Sequence, residues 1–197
     1  MPSPTISFEF FPPKNDQAAT KLWDVARQLI AHKPKFISVT CGAGGSAIDG
    51  TFAVVKHLRE AFQIDAVPHI AHSRLSRTRL REGYGDYKSL GVKHVVAIRG
   101  DAVAGEQVAE DDMYKDTIDF VADLHAGYGL DPVVSAYPDV HPLAVSAQHD
   151  MDWLKRKQEV GATRAITQFF FEADTYLRFR DKARAAGITL SLTPGIM

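Results

Sequence analysis

Short apolar stretches, each ending in a polar or conformationally special residue, recur along this chain about every 30 residues. The residues at their ends are Glu9, Thr40, His69, Arg99, Tyr137, Gln168 and Thr193. Between one end and the next lies a segment with apolar residues at helical spacing, for example Leu22, Val25, Ala26, Leu29 and Ile30. One strand and one helix per interval is the pattern of βα units building a parallel sheet. In a closed barrel of such units, chemistry collects at the C-terminal ends of the strands, where these residues fall. The pattern supplies six units and a seventh strand, short of eight, and an open parallel edge is an aggregation hazard. The sequence is therefore read as an α/β chain, a (β/α)8 TIM barrel of which about six and a half units are present. It is expected to form a single domain over residues 1–197, C-terminally incomplete. An open doubly wound sheet is the other arrangement compatible with the pattern.

The predicted strands are the opening stretch around Phe8 and residues 36–40, 66–70, 94–98, 132–136, 164–167 and 189–192. Asn15 is a predicted helix N-cap, and Gly91, Gly161 and Gly187 follow helices as C-terminal stops. Pro34 is taken to end the first helix, and a later helix is expected to run through Tyr114, Ile118, Val121 and Leu124. Pro68 counts mildly against its strand.

Composition narrows the function. A net charge of −1 over 197 residues argues against a nucleic-acid or membrane-surface role. Cys41 is the sole cysteine, which excludes an internal disulfide and a cysteine-built zinc site. Met1 to Thr5 lacks a basic region followed by an apolar run, so no signal peptide is expected, and no apolar run reaches membrane-spanning length. A cytoplasmic protein is the expectation.

Three clusters carry chemistry. In Ser7-Phe8-Glu9-Phe10-Phe11-Pro12-Pro13-Lys14, a carboxylate sits among three phenylalanines, where burial without a cation should raise its pKa toward that of a general acid. A structural carboxylate paired with a lysine or arginine is the alternative. Arg99-Gly100-Asp101 places a cation, a close-approach glycine and an anion at a strand end; an ordinary surface ion pair would look the same. Gln168, followed by Phe169, Phe170 and Phe171, suits a flat, polar-edged heterocycle, although the rings would serve equally as core. His69, His72 and His141 with Asp101 suggest a metal site only weakly, because His69 and His72 straddle a strand end; no metal ligand is assigned. The loop from Gly42 to Ser46 lacks the ending of a phosphate-binding loop. Asp150, Arg156 and Lys157 read as an ordinary solvated helix face.

Together these blocks resemble the methylenetetrahydrofolate reductase family in its bacterial single-domain form. The resemblance rests on the opening octapeptide, Pro34-Lys35-Phe36-Ile37-Ser38-Val39-Thr40, Ala97-Ile98-Arg99-Gly100-Asp101, Ala136-Tyr137-Pro138-Asp139-Val140-His141-Pro142 and Thr167-Gln168-Phe169-Phe170-Phe171-Glu172, in family order. It implies a barrel that binds FAD, is reduced by NADH or NADPH, and then passes a hydride to 5,10-methylenetetrahydrofolate in a ping-pong sequence, yielding 5-methyltetrahydrofolate. It implies Glu9 as the general acid that opens the methylene bridge, Asp101 beside flavin and folate, and Gln168 as a folate contact. It further implies FAD contacts at Thr40, His69, Arg99, Gly100, Asp101, Tyr137, His141, Ala144, Asp150, Arg156 and Lys157, with Tyr114 or Lys115 near another. A homo-oligomer with folate and reduced nicotinamide as partners, serving one-carbon metabolism and methionine biosynthesis, is also implied. Ala71-His72 stands where the pattern has Thr-Cys, and Trp153 stands where a smaller polar residue is expected beside the cofactor. The family's chain continues beyond Met197. The alternatives are a non-catalytic flavin- or folate-binding remnant and a metal-dependent barrel hydrolase.

Overall fold

The computed structural model describes residues 5–41, 47–74, 76–100 and 112–197. Strands and helices alternate throughout: β1 (Phe8–Phe10), α1 (Asp16–Ile30), β2 (Ile37–Val39), α2 (Ala47–Ala61), β3 (Ala66–Ala71), α3 (Arg77–Ser89), β4 (His94–Ile98), α4 (Thr117–Ala122), β5 (Asp131–Ala136), α5 (Ala147–Glu159), β6 (Arg164–Thr167), α6 (Ala173–Ala185) and β7 (Ser191–Thr193). This is the repeat of a (β/α)8 barrel, with seven strands among the described residues. The chain divides into two compact units, one running to Val96 and the other comprising Ala97–Arg99 and Tyr114–Met197.

In the first unit β1, β2 and β3 pair in parallel, with Glu9 opposite Ser38 and Ser38 opposite Val67. Alternation sends Phe10, Ile37 and Val39 to one face of this sheet, where all three are buried. Val55 and Leu58 of α2 and Ala26 of α1 are fully buried as well. The N-cap at Asn15 forms as predicted, its side chain accepting from the Ala18 amide at 2.9 Å. The helix ends at Ile30, before Pro34, with Lys33 already at φ 55°. Pro68 remains inside β3, opposite Val39.

In the second unit β5, β6 and β7 pair in parallel, in chain order. Phe120, Val121, Leu124, Val134, Ala165, Ala183 and Ile188 form its fully buried core. The helix expected through Tyr114 starts only at Thr117. Asp116 caps it by accepting from the amides of Ile118 (2.8 Å) and Asp119 (3.0 Å), and residues Asp123–Gly127 continue as a π-turn. The last strand lies two residues further on than predicted at its start. Gln158 Oε1 accepts from the amides of Thr189 (2.7 Å) and Leu190 (3.1 Å), so a side chain takes these donors and the ladder begins at Ser191.

Candidate active site

In the first unit the candidate residues meet at the ends of β1, β2 and β3. Strand alternation puts Glu9, Ser38, Thr40 and His69 on the sheet face opposite Phe10, Ile37 and Val39. Thr40 lies one residue past β2 and extends the ladder, its amide donating to the Phe10 carbonyl at 2.8 Å, while Thr51 Oγ1 donates to its own carbonyl at 2.9 Å. Glu9 is only partly buried, its side chain 39% exposed. Burial raises its carboxyl above the usual range, and a hydrogen bond from the Ser38 hydroxyl opposes that rise. Ser38 itself is buried.

His69 lies deeper, its side chain 10% exposed, and burial lowers its pKa to about 4. Its Nε2 is 3.5 Å from Glu9 Oε2. At neutral pH that ring is uncharged, so the approach is a contact between an acid and a neutral imidazole, with no ion pair. Two buried polar atoms here, Thr40 Oγ1 and His69 Nε2, have no hydrogen-bond partner among the described residues. Such atoms are costly unless something answers them, and a polar-edged ligand against this face would do so.

In the second unit the candidates gather around the end of β5 and the start of α5. The Tyr137 ring meets the His141 ring edge-on, with centroids 4.4 Å apart. His141 Nδ1 accepts from the Leu143 amide at 3.0 Å, its backbone amide donates to Asp150 Oδ2 at 2.9 Å, and its carbonyl accepts from the Ala144 amide at 2.9 Å. Lys157, one side of α5 over two turns, is buried and donates to the Ser135 carbonyl at 3.3 Å. Burial lowers its pKa to about 8, against an upward pull from Asp150. A cleft of about 160 Å³ opens beside them, lined by Tyr137, Asp139, Asp150 and Lys157 and by Arg178 and Lys182 of α6. The solvated-face reading of α5 thus holds for exposed Arg156 and fails for Lys157.

Gln168 is exposed just past β6, its amide donating to the Ala136 carbonyl at 2.8 Å. Of the phenylalanines that follow, Phe169 and Phe171 are exposed and Phe170 stacks on Tyr176, so this run is mostly surface. Thr167 is held by the Gly195 amide, which donates to its Oγ1 at 2.9 Å. Arg99 is exposed and Gly100 takes φ 78°, a left-handed conformation suited to glycine. Asp101 and the 42–46 loop lie outside the described residues. Tyr114 is buried and Lys115 exposed. Among the described residues no three His, Cys, Asp or Glu side chains gather as a metal site. Sequence reasoning missed Ser38. Its only signal was its place two residues before Thr40 in an alternating strand.

The family model for methylenetetrahydrofolate reductase matches residues 2–197. The chain is 44% identical to the 5,10-methylenetetrahydrofolate reductase of Pectobacterium carotovorum subsp. carotovorum over 98% of its own length and 63% of that protein. It is 43% identical to that of Escherichia coli (strain K12), over 98% of this chain and 64% of the relative. The chain thus spans slightly under two thirds of these relatives' length. Among solved structures, a Clostridium thermocellum protein described as binding two copies of 5-methyl-5,6,7,8-tetrahydrofolic acid matches with TM-score 0.59 at 14% identity, over 99% of this chain and 65% of that one. A tryptophan synthase alpha subunit from Legionella pneumophila str. Paris matches with TM-score 0.62 at 10% identity, over 97% of this chain and 71% of that one. These two show the shared fold. With the family model matched along almost its whole length, the chain belongs to the methylenetetrahydrofolate reductase family.

Proposed function

We propose that the protein carrying this chain reduces 5,10-methylenetetrahydrofolate to 5-methyltetrahydrofolate with electrons from NADH or NADPH, through bound FAD. The observation that carries this reading is Glu9, a carboxyl group raised by burial at a strand end, with Ser38 bonded to it and neutral His69 in contact. A general acid must still hold its proton near neutral pH, and this environment favours the protonated form. Glu9 protonates the folate nitrogen that leaves the methylene bridge, and Gln168, with an amide that both donates and accepts, orients the pterin edge. Asp101, which lies outside the described residues, is assigned by the family likeness alone the role of favouring the cationic form of the folate.

FAD, when bound, supplies a hydride store between the two substrates. Each unit, taken by itself, carries residues suited to it. Thr40 Oγ1 and His69 Nε2 are buried donors or acceptors open to a ligand. Lys157 and Arg156 bring positive charge toward a diphosphate, while Tyr137, His141, Ala144 and Asp150 form one bonded group beside Lys157. Arg99, Gly100 and Asp101 complete the proposed contacts. We further place the protein in the cytoplasm, as a homo-oligomer built from a single domain of this type. No helix among the described residues is long and apolar enough to cross a membrane.

The test is the purified protein itself. It should carry a yellow flavin chromophore that NADH bleaches and methylenetetrahydrofolate restores. A full-length protein that neither carries nor takes up flavin would overturn the reading.

A further inference from the structure

Helix α5 has a second chemical face. His149, Trp153 and Arg156 stand one turn apart along it, with the His149 and Trp153 rings stacked at 6.1 Å and 20°. The Arg156 guanidinium lies over the indole, 5.0 Å from its centroid. An ordinary helix would pair Arg156 with Asp152, the carboxylate one turn back. Here Asp152 Oδ1 accepts from Gln148 Nε2 at 2.8 Å, and no carboxylate among the described residues lies within ion-pair distance of Arg156. The guanidinium is exposed and fixed by a ring that consumes none of its N–H donors. Lys157, the next residue, supplies a second, buried cation.

We propose that Trp153 is a positioning residue that holds Arg156 pre-oriented, with its N–H fork free, for the diphosphate of the dinucleotide cofactor. This rests on the cofactor reading above. A carboxylate partner would hold the arginine equally well but would neutralise it and occupy its fork. The indole fixes it and leaves both charge and donors available, so less ordering is required when the anion arrives.

The test is a double-mutant cycle on the protein, with FAD titrated calorimetrically into Trp153→Ala, Arg156→Ala, the double variant and Trp153→Phe. Trp153→Ala should weaken FAD about three- to tenfold, Trp153→Phe should restore most of it, and the double variant should be no weaker than Arg156→Ala alone. Without ligand, in a Trp23→Phe background where Trp153 is the only indole, Arg156→Ala should shift the emission of Trp153. Strictly additive losses, or an emission spectrum indifferent to Arg156, would overturn the inference while leaving FAD binding intact. No FAD binding by the unsubstituted protein would instead remove the cofactor reading and this inference with it.

Discussion

Ser38 lies directly opposite Glu9 in the parallel β1–β2 register, buried, and its hydroxyl donates to the Glu9 carboxylate. The pair sets how readily the acid gives up its proton, because the hydroxyl stabilises the charged form that burial disfavours. Ser38→Ala should therefore raise the Glu9 pKa further, and Ser38→Thr should restore it. Titration of the carboxyl carbon by ¹³C NMR measures this directly. A midpoint unmoved by Ser38→Ala would show that the bond does not tune the acid.

His69 gives the chain an acid sensitivity. Its folded pKa of about 4 lies below its ordinary 6.5, so the unfolded chain binds the proton more tightly. The stability that follows is fully present above pH 6.5 and is lost as pH falls toward 4, by on the order of 1–3 kcal/mol. Glu9 acts with the opposite sign, since a raised carboxyl costs stability as pH climbs through its range. Denaturant unfolding between pH 4 and 7 should show a loss toward acid that His69→Gln reduces and Glu9→Gln enlarges.

Lys157 does the same on the alkaline side. With a folded pKa of about 8 against 10.5 unfolded, it makes the protein more stable as pH rises from about 8 to about 10.5, by on the order of 1–3 kcal/mol. Lys157→Met should flatten that rise and, on the proposed cofactor reading, weaken FAD binding about tenfold. An unchanged stability profile would mean the amine is not desolvated.

Much of this architecture is legible in local sequence. His94–Ile98 and Arg164–Thr167 form strands at the predicted bounds, each carrying β-branched residues suited to a strand. What the sequence hides is long-range. β7 starts late because Gln158, more than thirty residues away, takes the amides of Thr189 and Leu190. The helix starts after Asp116 because that carboxylate caps its first free amides, a signal present in the local sequence. Ser38 becomes a partner of the acid only through the β1–β2 register, and Lys157 becomes a buried cation only through the packing of α5 on β5. Glu9 stands out locally by its place among three phenylalanines and Gln168 by the three that follow it, while the roles proposed for them rest on the family resemblance.

Gly195 carries no positive φ, yet a Cβ there would fall 2.3 Å from the Thr167 carbonyl oxygen. Gly195→Ala should cost about 1–3 kcal/mol in unfolding free energy. It should also displace the end of β6 and raise the KM for the folate more than that for the nicotinamide, because Gln168, the proposed folate contact, follows Thr167. Equal changes in both would place the effect elsewhere.

The central claim is that Glu9 serves the folate half-reaction as its acid. Stopped-flow measurement of the two half-reactions in Glu9→Gln tests it directly. Flavin reduction by NADH should stay within about twofold of the unsubstituted protein, while reoxidation by methylenetetrahydrofolate should slow at least about a hundredfold. Equal loss of both steps, or an undiminished second step, would contradict the account.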